Sequence, residues 1–553
     1  MNSRNSSIPG ILNDPAVMAA ILAVLVGLSY AGSMNGPFVK NDVTNILENP
    51  AVHSIISPCG EGGCPEGREL SDRPLARLTF ALNYLAGQDS TVGYHAVNVS
   101  IHVLSVLALF ALVRLTLEKS AALSTRYAQS AAHLAFFSAL LWGLHPLNTQ
   151  AVAHISGRLE SLPGLFLLLC VYGAARSAFD EKPLFGNLLA AASFLLGLGS
   201  GNVLLAAPFA VAAWQYLFAP RKFSDSMARS IVFYVACSTG ILVWALSLVF
   251  GLRPEETGIL RTPSVLEYAR EEPRIIARYL RLAVFPRGLV FDYWWRPSGG
   301  HGFIPYALGL GVALTAVAYG LFRRRSWAFA GFFIVATLAV SSSVFPRPDF
   351  ASEDRMYLPL AALCVLLTAA AFRFIESRGA GAARSLGIGG AVLVLVLFGA
   401  TFARNSDYAD ARSIWEDTAK KRPENPRAHD GLGAALLEKG DYGQAVDRFK
   451  TALEIENRYA PAHFNMGNAF LAQGRAREAI RHYRRAVLVD PAYWQAYASL
   501  GSALGAAGLR DEGVWSLSQA LKINPHDSET AASLENARAE LKKSLEAERA
   551  RIR

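Results

Sequence analysis

The sequence predicts an all-α protein with two parts, a bundle of about eleven membrane-spanning helices over residues 1–403 and then a helical solenoid. Apolar residues make up 52% of the 553 positions and charged residues only 18%, against about 25% charged in ordinary soluble chains. The charge is also uneven: residues 404–553 are 29% charged, with 23 basic and 21 acidic side chains, whereas residues 1–403 are 13% charged. This composition excludes a single soluble enzyme, a disordered chain and a small secreted protein built on disulfides.

Eleven segments are apolar over a length that can cross a bilayer, which takes about 20 residues. Their approximate bounds are 15–34, 94–114, 128–147, 160–177, 184–200, 202–219, 229–250, 303–322, 327–345, 355–373 and 384–403. The fifth and sixth segments are separated only by a short polar break, so we expect a helical hairpin there. The first segment is expected to be a retained span rather than a signal peptide, because it shows no small-residue cleavage pattern.

Basic residues in the short loops predict a cytoplasmic N-terminus, because Lys and Arg concentrate on the cytoplasmic side of membrane proteins. All five short loops on that side are basic, and they contain Arg114, Lys119, Arg126, Arg176, Lys182, Arg221, Lys222, Arg229, Arg323, Arg324, Arg325, Arg373, Arg378 and Arg384. The outer face then receives the long loops 35–93 and 251–302. It also receives residues 404–553, since the number of spans is odd. Residues 274–290 are too short and too charged to span, and they predict an interfacial or re-entrant helix.

Residues 424–527 repeat with a period of 34. Small residues recur at that spacing in two series, Gly433, Gly467 and Gly501, and Ala452, Ala486 and Ala520. This is the tetratricopeptide pattern, in which each repeat is a pair of antiparallel helices that touch at small residues. It predicts three repeats, a lead-in helix over 404–423 that carries Trp415, and a charged capping helix over 528–553. Solenoids of this kind present extended surfaces to which peptides or proteins bind.

Ionisable residues that border the membrane are concentrated on the predicted outer face, where we expect function. The candidates for catalysis are Asp42 and Asn41, and those for binding a sugar or a lipid phosphate are Arg73, His95, His145, His154, Arg158, Arg278, Arg281, Glu353, Arg355 and Tyr357. A carboxylate can take a proton from a hydroxyl nucleophile, and guanidinium groups bind phosphate bidentately. These residue types together suit attack by an alcohol on a sugar carried by a lipid phosphate.

Seven motifs on this face carry a family resemblance. They are Phe38–Asp42, Asp72–Leu75, Gly93–His95, His145–Val152, Arg158–Leu162, Arg278–Leu282 and Glu353–Pro359. With the repeats that follow them, they resemble the transmembrane and tetratricopeptide-repeat (TMTC-type) glycosyltransferases. That family lies in the GT-C superfamily of polyprenyl-phosphate-sugar-dependent enzymes, which includes the protein O-mannosyltransferases. The resemblance extends over nearly the whole chain and depends on the combination of motifs.

The resemblance implies a GT-C-like membrane domain and an inverting transfer of a hexose, mannose in this family. The donor would be a polyprenyl or dolichyl phosphate, and the acceptor a Ser or Thr hydroxyl of an exported protein presented by the repeats. The base would be an acidic residue in the first outer loop, here Asp42. The site would face the periplasm in a bacterium or the ER lumen in a eukaryote. No metal, no other cofactor and no nucleic-acid partner are expected.

Two departures from the family pattern leave a second interpretation open. The family has an acidic pair in the first loop, and its first position is here Asn41, which cannot accept a proton. The family also carries Lys-Glu between the hairpin spans, where this chain has Gly201 and Asn202. The alternative is therefore a non-catalytic membrane-anchored scaffold whose repeats bind exported proteins.

Separately, Cys59 and Cys64 predict a disulfide in an oxidising compartment, with free thiols as the alternative.

Overall fold

The computed structural model describes residues 13–47, 49–53, 73–249, 264–297, 300–342, 349–378, 380–525 and 527–552, and within these ranges it contains helices and no strand. The α-helices in chain order are α1 (Pro15–Ser29), α2 (Pro50–His53), α3 (Pro74–Gly87), α4 (Thr91–Lys119), α5 (Thr125–Gln129), α6 (Ala131–Gly143), α7 (Thr149–Ala153), α8 (Arg158–Phe179), α9 (Leu184–Leu198), α10 (Ala207–Phe218), α11 (Phe223–Arg229), α12 (Ile231–Val249), α13 (Val265–Val284), α14 (Ile304–Phe322), α15 (Trp327–Ser341), α16 (Tyr357–Arg378), α17 (Ala380–Asp407), α18 (Ala411–Lys421), α19 (Pro426–Glu438), α20 (Tyr442–Ile455), α21 (Ala460–Ala472), α22 (Ala476–Val489), α23 (Trp494–Ala506), α24 (Arg510–Ile523) and α25 (Ser528–Ile552).

Each of the eleven predicted spans coincides with a helix. Six helical segments are long and apolar enough to cross a membrane, namely Pro15–Ser33, Thr91–Lys119, Ile155–Phe179, Ile304–Phe322, Glu353–Arg378 and Ser385–Asp407. Helices α11 and α12 make a seventh candidate with a 73° bend, and four shorter apolar helices match the remaining segments. The all-α, multi-pass class is therefore confirmed, while the number of spans stays a prediction.

Helix α8 is central to the membrane part and packs along α4, α9 and α10. It approaches α9 closely at two glycines: a Cβ at Gly173 would lie 2.7 Å from the Gly186 carbonyl oxygen, and one at Gly186 would lie 2.5 Å from the Gly173 carbonyl oxygen. Small residues allow such backbone contact between membrane helices. The two helices predicted to form a hairpin, α9 and α10, both pack on α8. In addition, α9 packs on α12 and α10 on α15.

Helix α13 covers the region predicted to be interfacial or re-entrant, and it begins earlier than predicted, at Val265. The Ser264 side chain caps it by accepting a hydrogen bond from the Glu267 N–H group. One face is buried through Tyr268 and Tyr279, while Leu266 and other apolar side chains near its ends are exposed. It is absent from the helices apolar enough to span, and such an amphipathic helix suits a membrane surface.

Contacts between residues divide the chain into two units, one up to Leu289 and from Trp295 to Asp410, and a second made of Val290–Trp294 and Ala411–Arg553. In the second unit three helix pairs, α19 with α20, α21 with α22 and α23 with α24, pack in the predicted register. A Cβ at Gly467 would lie 2.5 Å from the Tyr483 ring. The periodic glycine is therefore required where the two helices of that repeat touch.

The segment 290–294 belongs to this second unit and packs against the lead-in helix and the start of the first repeat. The Asp292 carboxylate has no exposed surface, and it lies 2.8 Å from Arg427 Nη2 and accepts a 3.1 Å hydrogen bond from Asn425 Nδ2. The Phe291 ring packs edge-on against Trp415, the bulky residue of the lead-in helix. A charged side chain is thus buried with its partner inside the repeat.

We expect Asp292→Ala to lower the free energy of unfolding of the second unit by about 3 kcal/mol, because removing one member of a buried pair leaves the other charge uncompensated. The measurement is denaturant-induced unfolding of the full-length chain in detergent, with proteolysis of the repeats as the readout. Asp447→Ala is the matched control, because Asp447 pairs with Lys450 at an exposed position and such pairs contribute little. Equal stability of the two variants would contradict this expectation.

Candidate active site

Asp42 joins the loop after α1 to the turn before α8. Its Oδ1 atom accepts hydrogen bonds from the Ser156 N–H group at 2.8 Å and from the Ser156 hydroxyl, and it lies 3.2 Å from His154 Nε2. Its Oδ2 atom accepts from the Val39 N–H group at 3.1 Å. The side chain has no exposed surface. Both oxygens of this carboxylate are therefore bonded to protein groups.

Asp42 and His154 form an ion pair. Burial by itself would raise the pKa of Asp42, but the charge and hydrogen bond of His154, with the bonds from Ser156 and Val39, outweigh burial and lower the pKa. Burial would likewise lower the pKa of His154, but Asp42 outweighs it and raises the pKa. Opposite charges at this distance favour the charged form of each partner. The pair therefore joins the loop after α1 to the turn before α8 by charge as well as by hydrogen bonds.

Arg158 lies near Asp42 but is bonded to other groups. Its guanidinium donates to Asn98 Oδ1 at 2.7 Å, to the Tyr94 carbonyl at 2.9 Å and to the Thr79 hydroxyl at 3.2 Å, and it stacks over Phe80. Arg158 has no exposed surface. Its contacts thus tie α3, α4 and α8 together, and its predicted role in phosphate binding stays a prediction.

His95 and Asn98, on the same helix as Tyr94, hold the two loops around Asp42. His95 Nε2 lies 3.0 Å from the Gly36 carbonyl oxygen in the first loop. Asn98 Nδ2 donates to the carbonyl groups of His154 and Ile155 at 3.0 and 3.1 Å. Helix α4 therefore positions both segments that contact the carboxylate.

A third segment reaches this cluster through a pair that the sequence alone did not single out. Lys40 Nζ donates to Asp349 Oδ2 at 3.0 Å, across 309 residues of chain. Their side chains are 16% and 26% exposed, unlike the enclosed Asp42. Lys40 has a φ of +56°, a conformation that costs a non-glycine residue energy and that is concentrated at functional sites. This backbone strain marks Lys40 as a candidate functional residue, and it can be seen only in the structure.

The residues around Asp349 are anchored by Arg355. The Arg355 Nη1 atom donates to the Tyr268 hydroxyl at 2.9 Å and to the Phe350 carbonyl at 2.7 Å, and Nη2 donates to the Asp349 carbonyl. The neighbouring Glu353 is fully buried, and its N–H group donates to the Gln150 side chain at 2.8 Å. Arg355 and Glu353 thus hold the loop 349–356 in place.

For four predicted site residues, the structure gives positions or contacts away from the Asp42 carboxylate. The Tyr357 hydroxyl is 2.9 Å from His102 Nδ1 inside the helix bundle. His145 caps a turn by accepting from the Leu147 N–H group. Arg278 and Arg281 lie on α13, where Arg281 is exposed. Cys59 and Cys64 fall outside the described residues, so their predicted disulfide stays a prediction.

Arg73 borders a small cleft beside the start of α8. Its Nη1 atom donates to the Leu159 carbonyl at 3.3 Å. Its lining includes the polar residues Glu160 and Asn202 and the apolar residues Pro163 and Val340. Gly201, which lies between the two helices of the predicted hairpin, also lines it. Arg73 is only partly buried, and it is therefore an accessible cation next to this cluster.

These features define a class: an all-α, multi-pass membrane protein with polar loops gathered at one site and a C-terminal helical-repeat unit. Models of the tetratricopeptide repeat match residues 397–461 and 436–504. Within the described residues, no three His, Cys, Asp or Glu side chains are arranged to hold a metal ion. The expectation of no metal cofactor stays a prediction.

Known relatives match the membrane part as well as the repeats. The chain is 25% identical over 445 residues to the protein O-mannosyl-transferase F38B6.6 of Caenorhabditis elegans, covering 76% of this chain and 60% of the relative. It is 24% identical over 529 residues to the protein O-mannosyl-transferase TMTC1 of Homo sapiens, covering 79% and 55%. The chain therefore spans between about half and three fifths of these relatives. The predicted resemblance to the TMTC type, with its tetratricopeptide repeats, is confirmed.

Among solved structures, the Sgt2 TPR domain from Aspergillus fumigatus is similar to part of the chain. It is 20% identical, and the match covers 22% of this chain and 82% of that domain with a TM-score of 0.21.

Proposed function

We propose that this protein is an inverting glycosyltransferase of the membrane. It moves a hexose, mannose by the resemblance, from a polyprenyl phosphate to Ser or Thr hydroxyls of exported proteins. The names of the relatives support a glycosyltransferase role. The structural observation that carries the proposal is the convergence of three distant segments, 36–42, 154–158 and 349–355, on one cluster of carboxylates and cations.

The reaction needs one carboxylate as a base. The acceptor hydroxyl oxygen attacks C1 of the sugar on the face opposite the phosphate, the bond between C1 and the phosphate oxygen breaks, and the hydroxyl proton passes to the carboxylate. The products are the glycosylated side chain with inverted configuration and the polyprenyl phosphate. A phosphate leaves without a general acid, so a second carboxylate is not needed.

Cations near the carboxylates would bind the phosphate of the donor. Arg73 retains exposed surface, and an accessible guanidinium group stabilises the negative charge that develops on a leaving phosphate. Arg278 and Arg281 on the amphipathic α13 would contact anionic headgroups.

The proposal includes a compartment and a partner. The cluster would face the periplasm in a bacterial inner membrane, or the ER lumen in a eukaryotic cell, where exported acceptor proteins pass. The tetratricopeptide repeats would bind the acceptor chain, as helical solenoids bind peptides along their concave surfaces.

The test is sugar transfer by the purified full-length protein in lipid nanodiscs. We expect radiolabelled mannose to move from polyprenyl-phosphate mannose to a Ser/Thr-containing peptide with inversion at C1. A nucleotide-linked mannose is the matched control, and it should give no transfer because it lacks the lipid carrier. A folded protein that transfers sugar from no polyprenyl-phosphate donor would contradict the proposal.

The scaffold remains a second candidate because of two specific observations: Asn41 stands at the first acidic position, and the Asp42 carboxylate is enclosed. A scaffold would bind an exported protein through its repeats without consuming donor. The same assay distinguishes the two candidates, because a folded scaffold would release no polyprenyl phosphate. In a scaffold, Asp42→Asn would also leave partner binding unchanged.

A further inference from the structure

The Asp42 carboxylate is poorly placed to act as the base. A general base must come within about 2.6–3.2 Å of the proton that it removes. Asp42 has no exposed surface, and its oxygens accept bonds from Ser156 and Val39 and pair with His154. An acceptor hydroxyl could reach it only after several of these buried bonds were broken.

Asp349 is a second carboxylate in direct contact with the same loop. Its side chain keeps 26% of its surface exposed, so a hydroxyl can approach it. Its Oδ2 atom accepts the 3.0 Å hydrogen bond from Lys40, the residue two positions before Asp42. The two carboxylates therefore contact the same loop, and Asp42 is enclosed whereas Asp349 keeps exposed side-chain surface.

Two separate anchors hold this pair in place. On the Lys40 side, Asp42 accepts a hydrogen bond from the Val39 N–H group and keeps the loop in a conformation with a φ of +56° at Lys40. On the other side, Arg355 donates to the carbonyl groups of Asp349 and Phe350. Backbone strain that surrounding contacts hold in place, as at Lys40, is typical of preorganised functional sites.

We propose that Asp349 is the catalytic base of this protein, and that Lys40 and Asp42 are positioning residues. This inference rests on the proposed function and names the group that carries out its proton transfer. The acceptor hydroxyl gives its proton to Asp349 while its oxygen bonds to C1 of the sugar, and polyprenyl phosphate leaves. Lys40 orients the carboxylate through their 3.0 Å hydrogen bond. The role that Asn41 cannot perform is supplied from a different segment of the chain.

The experiment compares Asp349→Asn, Asp349→Glu and Asp349→Ala with the wild type in the transfer assay. We expect Asp349→Asn to lower kcat by about 100-fold or more, the usual contribution of a general base, with the KM for the donor nearly unchanged. Asp349→Glu should recover part of the activity. Asp89→Asn is the control, because Asp89 is exposed and outside the cluster, and it should behave as wild type.

Azide provides a readout that a structural role would not change. Azide is a nucleophile that carries no proton to remove, so it should restore turnover of the donor by Asp349→Ala and give an inverted glycosyl azide. Lys40→Met should lower kcat while the KM for the donor stays nearly unchanged, because Asp349 loses the group that orients it. Thermal unfolding of each variant shows whether it has folded.

Three outcomes would overturn the assignment. The first is a kcat of Asp349→Asn within threefold of the wild type. The second is azide rescue of Asp42→Ala instead of Asp349→Ala, which would identify Asp42 as the base and leave the proposed function standing. The third is an inactive but folded wild-type protein, which would remove the proposed function together with its base.

Discussion

Asp42→Ala is expected to abolish sugar transfer and to destabilise the membrane unit, because the carboxylate joins the loop after α1 to the turn before α8. Its loss leaves the N–H groups of Val39 and Ser156 without their acceptor and the buried His154 without its countercharge. Breaking a buried pair by removing one partner typically costs about 3–5 kcal/mol. The measurements are the transfer rate and thermal unfolding of the full-length protein in nanodiscs.

The pH dependence of this variant gives an independent test. The pKa of Asp42 is lowered, so its stabilisation is present above the unfolded value of about 3.9 and is lost as the pH falls through the folded value. The pKa of His154 is raised, so its stabilisation is present below about 6.5 and is lost as the pH rises through the folded value. The difference in stability between wild type and Asp42→Ala should therefore be largest between these limits.

Ser156→Ala is the matched variant, because it removes the hydroxyl bond to Asp42 but keeps the Ser156 N–H bond and the ion pair with His154. It should cost about 1 kcal/mol, the usual value of one hydrogen bond. A stability difference for Asp42→Ala that is no larger than that of Ser156→Ala would count against the ion pair as the main contribution.

Asp430→Asn is expected to stabilise the repeats at alkaline pH. Asp430 is buried in α19, and burial raises its pKa to about 7, although Asn465 donates a 2.9 Å hydrogen bond to it. Between about pH 4 and pH 7 the folded chain holds a proton that the unfolded chain has lost, so stability falls as the pH rises through this range. The total loss is about 4 kcal/mol, at 1.36 kcal/mol for each unit of pKa difference.

The asparagine variant cannot ionise, so its advantage over the wild type should appear as the pH is raised from 5 to 8. His463 and His482 in the same repeats have lowered pKa values, and they change stability in the opposite sense below about pH 6.5. Comparing variant with wild type at each pH cancels their effect. A constant difference across this pH range would contradict the raised pKa of Asp430.

Much of the fold was predictable because it depends on local properties of the sequence. A membrane helix requires a continuous apolar run, and each predicted run coincides with a helix. The repeats are set by small residues at a fixed spacing, and Gly467 against Tyr483 shows why glycine is required there. The amphipathic α13 was predicted from its charges, but its start at Val265 was missed because a helix end depends on a single cap, Ser264.

The candidate site was predictable in composition but not in arrangement. The sequence predicted that Asp42, His154 and Arg158 belong to one group, and the structure places them near one another, while their functional roles stay predictions. The sequence could not show that neutral acceptors enclose Arg158. It also could not show that Tyr357 contacts His102 inside the helix bundle. Burial is decided by neighbours that are distant along the chain.

The sequence by itself determined that this chain is a helical membrane protein with a tetratricopeptide unit, since apolar length and a 34-residue period are properties of continuous segments. Only the tertiary structure decided which polar side chains are open and which are enclosed. Lys40 and Asp349 are 309 residues apart and form one ion pair, because folding brings their two loops together. No repeating pattern in the sequence relates these loops. Access to a carboxylate depends on all the segments packed around it, and that information is absent from any single motif.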